Sequence, residues 1–187
     1  MISTASVGGD DRIRLFLALR LPDDVLDEVG RWQHEQLGGV LSGVRIVPRE
    51  HLHVTLAFLG HRPADELESI AGVLRDAAAG AGEMRLAPVR YRETRSVGML
   101  VLSDDEGRAA LLAGDVQERL ERLDVYRSEG RAWLPHLTVA RWLERPRLQP
   151  ELPAVGTFVP SDAAAFLSRL HPDGARYEVL ESVALGG

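Results

Sequence analysis

The stretch EHLHVTLAFLGH, residues 50–61, sets three histidines and a threonine among residues that otherwise read as a buried strand. Side chains along a strand alternate between two faces. His53 and Thr55 therefore share one face, while Leu52, Val54, Leu56 and Phe58 share the other. A second stretch repeats the pattern. Laying HVTLAFL (53–59) over HLTVARW (136–142) matches His53 with His136, Thr55 with Thr138 and Ala57 with Ala140. The apolar pairs Val54/Leu137 and Leu56/Val139 fall in step, so His136 and Thr138 share a face as well. Each strand is expected to bury one side and present an imidazole and a hydroxyl on the other. Pro135 biases Leu134 towards an extended backbone, which suits a strand entering a site.

Outward from these strands, residues 1–11 read as a flexible tail rich in Ser, Gly and Asp, and IRLFLALRLP as a first strand closed by Pro22. From Asp23 to about Leu37, the residues Val25, Leu26, Val29 and Trp32 recur at helical spacing, and Gly38-Gly39 stop them. GVRIVP and LHVTLAFLG read as strands. A second helix is expected from about Ala64 to Ala79, with Leu67, Ile70, Ala71 and Leu74 on one face. MRLAPVRYRET and VGMLVLSD follow as strands joined by a tight turn near Ser96. A third helix spans about Gly107 to Leu123 on the pattern Leu111, Leu112, Val116 and Leu120. After WLPHLTVARWL comes a proline-studded loop from Arg145 to Pro160, then two strands around AAAFLSRL and RYEVLESVAL. Hairpins interspersed with helices predict an α+β fold with antiparallel sheets rather than a doubly wound parallel one. Residues 12–187 are expected to form a single domain of two lobes.

The chain has 187 residues, 45% of them hydrophobic and 27% charged, as in a globular protein that buries a sizeable core. A formal charge of −6 argues against a polybasic coat for nucleic acid or anionic membrane, though it leaves room for a local basic cleft. No apolar run approaches the roughly 18 residues that span a bilayer. The opening MISTASVGGDDRIRLFLALRLP carries acids and an arginine before its apolar run and lacks a small-residue cleavage site, so no signal peptide and a cytoplasmic location are expected. There is no cysteine, which excludes thiol nucleophiles, disulfides and thiolate-held metals. All 22 basic residues other than histidine are arginine, as GC-rich codon usage would produce. Whatever its origin, the absence of lysine excludes lysyl-nucleotide ligases, ordinary P-loop NTPases and Schiff-base enzymes.

A lone histidine on a strand is more often structural than catalytic, but two H-x-T strands in matching register on a chain with six histidines are not so explained. His51 and His53 have the i, i+2 spacing of strand-borne zinc ligands. Against zinc, the chain has no cysteine, no acid stands beside the second motif, and threonine is a poor ligand. The expectation is therefore no metal and no cofactor. Hydrolysis of a phosphodiester needs a base to deprotonate water and an acid to protonate the leaving oxygen, in line across phosphorus. Two imidazoles titrating near neutrality can fill both roles. Threonine hydroxyls can donate to the non-bridging oxygens, where charge collects in the transition state. A 2′,3′-cyclic phosphate, strained and carrying its own leaving group, suits so spare a site.

The paired motifs resemble those of the two-histidine (2H) phosphoesterase superfamily. Together, RLFLALRLP, REHLHVTLAFLG, RAWLPHLTVAR and FLSRLHPDGARYEVL are similar to the bacterial and archaeal RNA 2′,3′-cyclic phosphodiesterases, first described as 2′-5′ RNA ligases of the ThpR or LigT type. The similarity runs from about Arg12 to Leu180. The resemblance implies a bilobal fold, with two antiparallel sheets related by a pseudo-twofold axis, helices outside and a central cleft. It implies metal-independent hydrolysis of an RNA-terminal 2′,3′-cyclic phosphate to a 2′-phosphate, with 2′-5′ ligation as a reverse-type activity. His53 would be the general acid and His136 the general base, with Thr55 and Thr138 holding the phosphate; spacing alone does not separate acid from base. Arg141 matches a family arginine, yet strict alternation puts it opposite His136, so it reaches substrate only if the strand bulges and otherwise braces the sheet. Arg131 could approach substrate from its loop or stand solvated there. Phe58 occupies the position equivalent to Arg141 and reads as core rather than a base-stacking platform. Leu134 stands where many relatives have a polar residue, which puts a contact from that site in doubt. His51 could orient His53 or line the cleft, and His34, His61 and His171 read as surface residues. The expected partner is an RNA end or nucleotide bearing a cyclic phosphate, bound by a monomer with no obligate protein partner. Alternative substrates are ADP-ribose 1″,2″-cyclic phosphate and 2′-5′ oligonucleotides, and a non-catalytic RNA-end-binding module is the alternative from another class.

Overall fold

The first strand, β1 (Arg12–Arg20), sits inside the sheet and is buried on both sides, which is why its sequence reads as the unbroken apolar run LFLAL. Leu15, Leu17 and Leu19 enter the main core, whereas Phe16 and Ala18 form a small cluster with Ala164 and Phe166 on the opposite face. The computed structural model describes residues 12–38, 43–128, 130–172 and 174–186, so the expected tail at residues 1–11 lies outside the described residues.

After Pro22 the chain turns into α1 (Asp23–Gln36), with Asp23 and Asp24 complementing the positive helix start. The N–H groups of Leu37 and Gly38 both close on the Gln33 carbonyl and end the helix. Then come β2 (Arg45–Ile46), a 3₁₀ turn at Arg49–His51, β3 (Val54–Pro63), and a 3₁₀ turn at Ala64–Glu66 leading into α2 (Leu67–Ala79). The hairpin of β4 (Ala87–Glu93) and β5 (Val97–Ser103) is closed by the Thr94 N–H donating to Val97 O. The chain continues through α3 (Arg108–Arg122), β6 (His136–Arg141), β7 (Asp162–His171) and β8 (Gly174–Val183). Three expected elements are shorter than their sequence signals. GVRIVP is a strand only at Arg45–Ile46, the helix expected from Ala64 opens with a 3₁₀ turn, and β4 starts at Ala87, with Leu86 bridging Phe158 instead. Pro88 is tolerated because β4 is an edge strand, where a missing N–H costs no ladder bond.

The strand order is β4-β5-β6-β3-β1-β7-β8, with every pairing antiparallel and β2 added on β6. Between the halves β4-β5-β6-β2 and β3-β1-β7-β8 there is a single strand pairing, Val54 with Leu137. Two half-sheets thus join into one curled sheet, and the two H-x-T strands are the elements that meet. The Trp133 indole N–H ties the halves again by donating to Thr55 O at 2.9 Å. α2 and α3 pack together over the β3-β7-β8 half. α1 covers the other half, with Trp32 against Tyr91 and Gln33 bonded to Val47 and Val139. Among the described residues, no helix is long and apolar enough to cross a membrane.

Candidate active site

The Val54–Leu137 pairing sets the geometry of the site. In an antiparallel pair, one step on either side of it places His53 across from Thr138, and Thr55 across from His136. Val54 and Leu137 are fully buried in the core, so the four polar side chains emerge together on the opposite face. That face opens into a cavity of about 1060 Å³ lined by His53, Thr55 and Phe58 from one half and by Thr138 and Arg141 from the other. His136 stands beside it, half-buried, close enough for its charge to act on His53.

Both motif strands carry a β-bulge at the same place. On β3, Ala57 pairs with Leu17 and Thr55 with Ala18, which leaves Leu56 unopposed. On β6, Ala140 pairs with Gly98 and Thr138 with Met99, which leaves Val139 unopposed. Leu56 and Val139 are the equivalent residues of the two motifs. One inserted residue flips the alternation beyond it. Phe58 and Arg141 therefore rejoin the face of the histidines and threonines instead of pointing behind the sheet. Helices clamp each bulge from the back. Gln117 Nε2, on α3, donates to Leu56 O at 2.8 Å. Gln33 Nε2, on α1, donates to Val139 O at 2.7 Å and to Val47 O at 3.0 Å.

The two imidazoles are held alike. His53 Nδ1 lies 2.7 Å from His51 O, and His136 Nδ1 lies 2.8 Å from Leu134 O. A carbonyl only accepts, so both Nδ1 atoms carry hydrogen. Each Nε2 is left to accept a proton when neutral and to donate one when charged. The oxygen comes from the residue two before the histidine in both cases, so Leu134 serves the site through its backbone although its side chain is apolar.

Their surroundings differ. His53 lies against Phe16 at 4.8 Å between ring centres, with Tyr177 at 5.7 Å and Phe166 at 6.0 Å. Burial among these rings penalises the imidazolium and lowers the His53 pKa from 6.5 to about 4. The Nδ1–H bond to His51 O opposes the shift, while the positive charges of His136, His51 and Arg141 add to it.

The family model described as "2'-5' RNA ligase superfamily" matches residues 21–171, most of the chain. The chain belongs to that superfamily. An RNA 2′,3′-cyclic phosphodiesterase of Thermus thermophilus is 30% identical over 186 residues, covering 94% of this chain and 91% of the relative. Another protein of that name, from Methanocaldococcus jannaschii, is 24% identical over 178 residues, covering 90% and 99%. Among solved structures, that of TT0787 from Thermus thermophilus superposes with a TM-score of 0.78 at 28% identity, covering 94% of this chain and 99% of the other. E. coli LigT complexed with 3′-AMP superposes at 0.81 with 20% identity, covering 95% and 100%, which bears on the fold alone.

As a member of the 2′-5′ RNA ligase superfamily, the chain places its sequence-expected residues as follows. His53, Thr55, His136 and Thr138 come together. Arg141 lines the cleft, and the bulge at Val139 is the reason. Phe58 is not core: it is 49% exposed in the cleft wall, with the Arg14 guanidinium 4.7 Å above its ring. Arg131 is exposed on the loop before β6 and is not part of the cavity lining. His51 orients His53 through its carbonyl and lays its own ring 4.4 Å from that of Tyr177. His171, expected at the surface, borders the cleft at the β7–β8 end. Among the described residues, no three His, Asp or Glu side chains converge as a metal ion would require. Gln33 and Gln117 lie in no motif, and Arg14 and Tyr177 lie in RLFLALRLP and FLSRLHPDGARYEVL, where no role was read for either. A buried glutamine on an otherwise apolar helix face was the one available signal, since such a group must find partners.

Proposed function

We propose that this chain hydrolyses the 2′,3′-cyclic phosphate at an RNA end to a 2′-phosphomonoester. The observation that carries the reading is the pair of locked imidazoles, one from each half-sheet, each offering Nε2 beside a threonine across the strand pairing. Relatives aligned over at least 90% of this chain and named for RNA 2′,3′-cyclic phosphate support the substrate.

In the proposed reaction His136 Nε2 takes a proton from water as its oxygen attacks phosphorus. His53, protonated, gives its Nε2 proton to O3′ as the P–O3′ bond breaks, and the phosphate stays on O2′. Thr55 and Thr138 donate to the non-bridging oxygens. Burial keeps His53 neutral in the empty cleft, but an anionic phosphate beside it favours the imidazolium. Substrate thus charges its own acid. With an RNA 5′-hydroxyl in place of water, the same ring opening would join two strands through a 2′-5′ linkage. Phe58 and Arg141, brought forward at equivalent bulges, are suited to flank the terminal base, one as an apolar platform and the other as a cation. The proposed working unit is a monomer, because every group it uses lies in one chain; a cytoplasmic location and a reaction without metal or cofactor are proposed with it.

The test is product analysis with RNA ending in a 2′,3′-cyclic phosphate, with and without EDTA. A 2′-phosphate formed at equal rates in both is expected. Untouched RNA would overturn the proposal, a 3′-phosphate would overturn the direction of ring opening, and loss of activity in EDTA would overturn the metal-free chemistry.

A further inference from the structure

Among the described residues, Gln33 and Ser168 are the polar residues buried as a whole. Gln33 clamps the β6 bulge, which leaves Ser168 to explain. A buried hydroxyl is unfavourable unless it is used. Ser168 Oγ, on β7, accepts a 2.9 Å hydrogen bond from Arg14 Nη1 on β1. The same guanidinium lies over the Phe58 ring. Arg14 is therefore held at two points, so little side-chain freedom remains to be lost when it binds an anion.

Among the described residues, no carboxylate neutralises its charge. Many arginines of this acidic chain face carboxylates, as Arg20 faces Asp162 and Arg75 faces Glu68 and Glu181. Arg14, Arg45 and Arg141 line the cleft and, among the described residues, have no carboxylate within ion-pair distance. Among the described residues, Glu50 is the only acid in that lining. A walled, cationic groove concentrates anions.

Position supplies the rest. On the cleft face of β1, Ala18 pairs with Thr55, Phe16 with Phe58, and Arg14 with His61. Arg14 thus lies four residues along the strand from the threonine level, about 13 Å at 3.3 Å per residue. Between them is the Phe58 ring. A lone nucleotide with its phosphate at Thr55 and its base by Phe58 ends near there, whereas a chain continues towards Arg14.

We propose that Arg14, held by Ser168, forms a second anion subsite that takes a phosphodiester upstream of the RNA end, so that an RNA chain outcompetes a lone nucleotide. This rests on the cyclic-phosphodiesterase reading above. The test measures equilibrium binding of two probes, a short oligoribonucleotide ending in a 2′-phosphate and a nucleoside 2′-monophosphate. The wild type is expected to prefer the oligonucleotide, and Arg14→Gln to cut that preference about tenfold. Its log-log salt slope for the oligonucleotide should also flatten by about 0.7, the share of one phosphate contact on a single strand. Ser168→Ala should act in the same direction with a smaller effect. An unchanged preference, or equal losses on both probes, would overturn the subsite. Wild-type turnover of the cyclic phosphate tests the hydrolase reading separately: RNA held through Arg14 but never hydrolysed would sink that reading and leave the subsite standing.

Discussion

The two H-x-T strands are alike in sequence, bulge, helix-borne glutamine and backbone lock, yet their histidines sit in different media. His53 is packed among Phe16, Phe166 and Tyr177, and burial lowers its pKa to about 4. His136 lies half-buried beside the cleft, with its ring held only at Leu134 O among the bonds described. A symmetric scaffold therefore sets two identical side chains in unlike surroundings. Desolvation acts on the charged form of whichever imidazole is walled in, and here that is His53.

The most severe break in the comparison is removal of either imidazole. His53→Ala and His136→Ala are each expected to cost about 10²–10⁴-fold in kcat on an RNA cyclic phosphate. The double variant should lose little more than either alone, because the pair acts as a unit. Near-normal turnover by either single variant, with the fold intact, would refute the two-histidine site.

The second test sharpens the difference in media. Unfolded histidine titrates near 6.5, whereas folded His53 titrates at about 4. As pH falls through 6.5 the unfolded chain takes up a proton that the folded chain refuses, so stability drops until the pH nears 4. The loss over that window is about 3 kcal/mol. Urea titrations at pH 7 and pH 4 should show a decline in the wild type that His53→Asn lacks by that amount, while His136→Asn retains it. Equal pH dependence in all three proteins would mean that the aromatic wall does not desolvate His53.

A smaller effect is expected at the β6 bulge. Gly98 pairs with Ala140, and a Cβ there would stand 2.5 Å from the Tyr91 hydroxyl and 2.8 Å from the Trp142 ring. Gly98→Ala should destabilise the fold by about 1–3 kcal/mol through overpacking. Thermal unfolding that matched the wild type would show that β5 can shift to accommodate it.

The mildest probes are the glutamines. Gln33→Leu should lower kcat about tenfold, a cost in the range produced by small misplacements of catalytic groups. Gln117→Leu should cost less, since Gln33 is buried and holds two carbonyls while Gln117 is half-buried and holds one. If Gln33 acts by aiming Arg141, the double variant Gln33→Leu/Arg141→Ala will be no worse than Arg141→Ala alone. Additive losses would reduce Gln33 to a purely structural role.

Much of the fold was legible from local pattern. IRLFLALRLP announced a first strand, and the spacing of Val25, Val29 and Trp32 announced α1, because an apolar run and burial at a period of 3.6 leave their trace in adjacent residues; that β1 is buried on both faces came from the structure. The four polar residues of the site were legible because the motif occurs twice. Phe58 was misread as core for one reason: alternation was extended through a bulge that no residue type marks. Arg141 hung on the equivalent bulge of β6, and its conditional reading was resolved once Val139 proved to be unopposed. His171, Arg14 and Ser168 come to the cleft through pairings of β1, β7 and β8, which join residues far apart in the chain.

The amino-acid sequence by itself determined the two strands, the side chains they carry and, through the absence of cysteine and lysine, which chemistries are closed to this protein. Those are properties of residue identity and short-range alternation. Tertiary structure decided which residues beyond each threonine face the cleft, how the imidazoles are aimed, and why His53 takes up a proton less readily than an imidazole in water. Each of these depends on a partner strand, a clamping helix or a wall of rings from elsewhere in the chain, and local sequence carries no record of such neighbours.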